Sequence, residues 1–179
     1  MERPRSPWPS LSRPRIHLAW AALVAASALA VACSPHDRRP GTWLSGELVR
    51  DPVDDWSFTD EAGEIFVETR TWYGIPHSVT TVCATDGETL YVPSVYSGEE
   101  GEFPEARFWN RNVARDPRVR LQIGDRLYER RAVVVEDAAE REAALAAFAR
   151  KYPFWQELAA KPEGERPRLY YFRMDPPAS

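Results

Sequence analysis

Residues 118 to 135 alternate in character around a two-residue break. Val119, Leu121 and Ile123 fall on one side of an extended chain and Arg118, Arg120 and Gln122 on the other. Gly124-Asp125 follows, and Arg126 to Val135 supplies a second extended run. A period of two with one apolar side belongs to a half-buried strand. A two-residue link with glycine first suits the tight connection of a hairpin. A chain carrying this pattern must build at least one antiparallel ribbon with one face in a core.

The remaining segments extend that ribbon. Strands are expected over Glu64 to Thr71, His77 to Ala84 and Thr89 to Tyr96, separated by Gly74-Ile75-Pro76 and by Asp86-Gly87. Pro93 cannot donate to a ladder, so the third of these should have a bulge or an unpaired side. A Gly/Glu-rich loop from Ser97 to Phe103 leads to Pro104, where a helix over Glu105 to Ala114 can start and Asp116-Pro117 can end it. Asp137, with Glu140 three residues on, reads as a helix cap. Leu145, Phe148, Ala149 and Tyr152 form the apolar stripe of that helix, and Pro153 should close it. A loop over Lys161 to Pro167 and a last strand over Arg168 to Met174 complete the order. The expected class is mainly β (α+β), a six-stranded antiparallel barrel with two or three flanking helices.

The first 33 residues differ from the rest. Arg3, Arg5, Arg13 and Arg15 precede an apolar run, Leu18 to Val31, that is short for a membrane span but has the length of a signal-peptide core. Ala30-Val31-Ala32 then places small residues before Cys33, as a lipoprotein signal does. The expected organisation is a signal over 1–32, a lipidated Cys33 with a tether over 33–42, and a barrel domain over 43–179. The expected location is extracytoplasmic, held to the bilayer by acyl groups on Cys33, with the outer membrane favoured because Ser34 follows the cysteine. Loss of the signal takes away four of 23 basic residues and one of 27 acidic ones, leaving a net charge near −7. Such a domain is a poor match for nucleic acid, whose phosphates need a basic surface. With Cys33 lipidated, Cys83 has no partner within the chain, so a disulfide framework is excluded and a buried inert thiol is expected. His36 falls in the tether and His17 in the signal. A histidine metal site or hydrolytic triad would therefore rest on His77 alone, and no metal is expected. No Gly-rich phosphate loop follows a strand.

The run Arg70-Thr71-x-x-Gly74-x-Pro76-His77, then Asp86-Gly87, Leu90-Tyr91-Val92, Trp109-x-x-Asn112 and Pro117-Arg118-Val119-x-Leu121, resembles the pyridoxamine-phosphate-oxidase-like split β-barrel superfamily. Within it, the flavin- and deazaflavin-dependent reductase branches are most similar, over about Glu64 to Met174. The resemblance implies a homodimer with a flavin-type ring at its interface and hydride transfer to a small organic acceptor. Candidate cofactor contacts are Arg70 and Thr71 before the first turn, His77, Ser78 and Thr80 on the next strand, Ser94 and Tyr96 ending the third, and Trp109, Asn110 and Arg111 after the loop. A guanidinium at Arg70 could grip a phosphate; Trp109 could wall a ring. Each also has an ordinary reading: Arg70 paired with a strand glutamate, Ser78 and Thr80 as β-formers, Trp109 as core. No acid or base catalyst is assigned. Deazaflavin-using relatives commonly carry a basic turn where this chain has Thr71-Trp72-Tyr73-Gly74-Ile75-Pro76. FMN is therefore expected before a deazaflavin, with another planar ligand such as haem, or no cofactor, also open. The alternative function is a non-catalytic ligand-binding envelope lipoprotein that kept the barrel.

Overall fold

The computed structural model describes residues 41–96, 102–105 and 107–177. Cys33, the expected signal and most of the tether lie outside the described residues. Eight strands form one sheet: β1 (Glu47–Val49), β2 (Ile65–Thr69), β3 (His77–Thr81), β4 (Ala84–Thr85), β5 (Leu90–Tyr96), β6 (Arg118–Ile123), β7 (Arg126–Val134) and β8 (Arg168–Asp175). Among the described residues, three α-helices accompany them: α1 (Phe108–Arg115), α2 (Ala138–Lys151) and α3 (Pro153–Ala159).

The sheet runs β3-β2-β6-β7-β8-β5-β4, with every neighbour on that path antiparallel. Its two outermost strands are joined by only Val82 and Cys83, since β3 ends at Thr81 and β4 begins at Ala84. The three steps from Thr81 to Ala84 span at most about 11 Å, so the ends of the path must curl toward one another. The result is a split barrel of mainly β class. All six expected strands are present, and β6 begins and ends where the alternation does.

Two short strands add to them. Thr81 to Ala84 does not continue as one strand; the chain turns at Val82–Cys83 and re-enters the sheet as β4 at its far edge. Ahead of the expected strands, β1 pairs in parallel with β7, Glu47 opposite Arg126. Gly46 permits this approach: a Cβ there would lie 2.4 Å from the Asp125 carbonyl oxygen. The helices also differ in detail. Pro104 heads a turn, Glu105 N–H donating to the Glu102 carbonyl, and α1 starts only at Phe108. Pro153 ends α2 but also begins α3, because a proline at the first helical position needs no N–H partner. Pro93 lies where β5 pairs with β8 on one side, while β4 covers only Leu90 and Tyr91 on the other.

One core fills the barrel, with Ile65, Val67, Leu90, Val92, Leu121 and Phe172 fully enclosed. A second lies under α2 and α3, where Leu145, Phe148, Trp155 and Leu158 meet Tyr91 and Tyr171. Among the described residues, no helix is long and apolar enough to cross a membrane.

Candidate functional site

Where β3 and β5 run beside α1 and α3, a groove of about 720 Å³ remains open. Phe108, Trp109, Phe154 and Trp155 give it aromatic walls, and His77, Thr80, Ser94 and Arg107 bring polar groups to it. Its size is ordinary for a small-molecule site. Large apolar side chains border the groove without filling it. Trp109 serves two purposes: it lines the groove and packs on Phe172 with ring centroids 4.9 Å apart. Phe154 remains largely exposed at the rim, whereas Trp155 is anchored in the second core.

Behind the Ser94 wall lies a buried amide. Asn110 is completely enclosed; its Nδ2 donates to Ser94 Oγ at 3.0 Å and to the Tyr96 hydroxyl. Its Oδ1 is buried without a partner in the protein, which is uncommon in a native interior. Burial raises the Tyr96 pKa, keeping the phenol protonated. His77 packs edge-on against Phe108 at 4.8 Å, and its Nδ1 is also buried without a partner. Burial lowers the His77 pKa, so the imidazole is neutral at neutral pH. Arg107 donates to the Val95 carbonyl at 3.0 Å.

Arg70 and Thr71 lie in a different depression, of about 600 Å³, with Trp43, Trp72, Arg115 and Arg120. The two depressions flank the start of β3, Pro76 lining one and His77 the other. In the second, Glu68 is held beneath Trp43: its carboxylate accepts from Leu44 N–H at 2.6 Å and lies 3.6 Å from Arg120. Thr71 Oγ1 donates to the Ile75 carbonyl at 2.5 Å, closing the β2–β3 turn, so its hydroxyl hydrogen is already engaged. Arg115 donates to the Arg70 carbonyl.

The candidate residues thus separate. His77, Thr80, Ser94 and Trp109 line the groove. Tyr96 and Asn110 support it from behind. Arg70 and Thr71 line the neighbouring depression. Ser78 is buried, with its backbone bonded to Gly41, and Arg111 is exposed with its guanidinium 5.4 Å from the Phe108 ring centre. Arg107, Arg115, Phe154 and Trp155 were not among the sequence candidates. The first two precede or end a helix whose register only the fold defines, and the last two belong to a helix that follows Pro153, where the expected helix closed. Among the described residues, no group of three or more His, Cys, Asp or Glu side chains could hold a metal ion. Cys83 is fully buried, and burial pushes its thiol pKa up, as expected of an inert cysteine.

Residues 74–167 match the family described as F420H(2)-dependent quinone reductase. No curated protein matches the chain. Among solved structures, one described as a domain-swapped dimer has 20% identity and a TM-score of 0.50, covering 63% of this chain and 79% of its own. A pyridoxamine 5'-phosphate oxidase candidate from Listeria innocua has 18% identity and a TM-score of 0.48, with coverage of 68% and 90%. An F420-H2 dependent reductase has 22% identity and a TM-score of 0.44, with coverage of 61% and 92%.

Proposed function

This chain belongs to the F420H(2)-dependent quinone reductase family, and from that premise we propose that it is a deazaflavin-dependent oxidoreductase that passes hydride to a small quinone-like acceptor. The observation that carries this reading is the open aromatic groove beside Ser94 and His77. Membership of this family supports a deazaflavin over FMN, the reverse of the order expected from the turn at 71–76. That turn does lack the basic residues seen in many relatives. The fold supplies cations elsewhere: Arg70, Arg115 and Arg120 gather in the depression that adjoins the groove across Pro76 and His77.

The residues present fit such a group. A planar ring suits walls of Phe108, Trp109 and Trp155, and His77, Thr80 and Ser94 bring polar groups to the groove. An anionic tail suits the arginines of the adjoining depression. Bound in its reduced form, a deazaflavin supplies the hydride. The protein's part is to position and exclude water. The Asn110 amide fixes Ser94 at the wall, the aromatic rings displace solvent from the ring face, and His77 presents a neutral imidazole at the groove.

The same reading places the domain outside the cytoplasm, tethered to the bilayer through acyl groups on Cys33, and as a homodimer. The signal-like order of residues 1–33 supports the first, and a structural neighbour described as a domain-swapped dimer supports the second. Titration of the purified chain with oxidised deazaflavin, followed by its visible absorbance, should show binding at micromolar concentration. The reduced cofactor should then be consumed on addition of a soluble quinone. Absence of binding would sink the reductase reading and leave the non-catalytic ligand-binding lipoprotein, and binding of FMN in its place would overturn the choice of cofactor.

A further inference from the structure

The turn joining β2 to β3 carries the most exposed aromatic residue described. Trp72 is 78% exposed, and Tyr73 and Ile75, at 48% and 46%, stand beside it. Trp72 and Tyr73 meet edge-to-face at 5.2 Å, which leaves most of both rings toward solvent. The turn is nevertheless built to hold this shape. Thr71 Oγ1 donates to the Ile75 carbonyl, Gly74 N–H donates to the Thr71 carbonyl at 3.4 Å, and Gly74 adopts a positive φ of 83° that side chains disfavour. A fixed turn presenting Trp, Tyr and Ile to water is costly unless something apolar meets it.

Two further observations say what that is. The flank of the turn carries four arginines against two carboxylates, Arg118 pairing with Asp116 and Arg120 with Glu68 while Arg70 and Arg115 stand beside them, on a chain whose overall charge is negative. The N-terminal entry to the domain is also here: Gly41 exchanges backbone hydrogen bonds with Ser78, two residues beyond the turn, at 3.1 and 2.9 Å. Eight Cα–Cα steps lead from Cys33 to Gly41. Fully extended, they reach at most about 28 Å, so an acyl group on Cys33 would keep the turn close to the bilayer surface.

We propose that the β2–β3 turn is a membrane contact, with Trp72, Tyr73 and Ile75 seated in the interfacial layer of an anionic bilayer and the neighbouring arginines facing its headgroups. Trp and Tyr favour that layer because one end of each ring system is apolar and the other polar. Basic residues next to it gain from anionic lipid. The contact would bring the start of β3, and with it the His77 end of the groove, toward the layer where a lipophilic acceptor partitions. The proximity argument rests on the lipid-anchor reading, not on the reductase reading.

The test uses the full chain purified with its lipid and reconstituted in vesicles of phosphatidylcholine and phosphatidylglycerol, with and without bromine on the acyl chains. Of the tryptophans that follow Cys33, Trp56, Trp109 and Trp155 are buried, and half-exposed Trp43, which lines the depression beside the turn, is replaced by Phe in every protein tested. Bromolipid should therefore quench mainly Trp72, and Trp72→Phe should remove most of the quenched component. An unchanged quenched component overturns the proposal. So does conversion of a dimer to a monomer, seen by sedimentation, in the Trp72→Ser, Tyr73→Ser, Ile75→Ser variant with quenching unaltered, since the patch would then join two copies. Cys33→Ala tests the anchor separately. If that variant stays on membranes, the anchor reading fails, and the Trp72→Phe difference still decides the turn.

Discussion

Asn110 lies at 0% exposure with its Nδ2 bonds directed to Ser94 at the groove wall and to Tyr96 behind it. Removing the amide leaves two hydroxyls without their donor and opens a void beneath the wall. Asn110→Ala should therefore lower unfolding stability by about 2–3 kcal/mol, read as a lower urea midpoint with an unchanged slope. His77 presents a different case, because its burial acts on a proton. In the unfolded chain the imidazole titrates near its ordinary value of 6.5, and in the folded chain its pKa is lower. Between those values the unfolded state binds a proton that the folded state lacks. This contribution to stability is complete above 6.5 and is lost as pH falls toward the folded value. The wild type should thus lose more stability than His77→Phe on going from neutral pH to about pH 5.5; equal losses in urea titrations would refute it. Burial also acts on Cys83 and Tyr152, where it raises the pKa because the charged form is an anion. The Tyr152 hydroxyl, whose pKa is pushed up to about 12 by burial, donates to the Cys83 carbonyl, and Lys151 Nζ donates to that carbonyl and to the Thr59 carbonyl.

At the level of elements, the β6–β7 ribbon and α2 follow from local rules. Gly124 adopts the positive φ that its tight turn requires, and Asp137 Oδ1 accepts from Glu140 N–H at 2.8 Å as the cap spacing implies. β1 does not follow from local rules. Three residues, Glu47-Leu48-Val49, are too few to show a strand period, and what holds them is a parallel pairing to β7 from some 80 positions away. Gly46 makes that approach possible. Gly46→Ala would press a methyl group against the Asp125 carbonyl and should cost about 1–3 kcal/mol. Amide hydrogen exchange should speed up across Glu47–Val49 while the β6 core stays protected. An unchanged exchange pattern would show that β1 tolerates the shift.

For the whole molecule, closure of the sheet is the decisive event. It brings the β3 edge round to β5 and stands α1 and α3 over the seam, so that residues far apart in sequence share one groove. Exposed Phe154 at the rim makes the open side of that groove apolar. The proposed homodimer should be visible by sedimentation velocity as twice the monomer mass at micromolar concentration. A monomer under those conditions would leave each groove to bind its ligand alone.

Alternation and turn residues were enough to place the strands and the β class, because side-chain period and backbone turn chemistry are local. The resemblance carried on Arg70 to Leu121 added the split-barrel topology and the reductase family. The sequence also made the polar candidates visible, since hydroxyls, an amide and an arginine at strand ends are chemically legible wherever they later lie. Which of them meet was decided by tertiary structure alone. Curling of the sheet sends His77, Thr80, Ser94 and Trp109 to one groove and Arg70 and Thr71 to its neighbour, enlists Phe154 and Trp155 from a helix started by Pro153, and turns Asn110 inward. Those outcomes depend on packing between segments tens of residues apart, which no local period records.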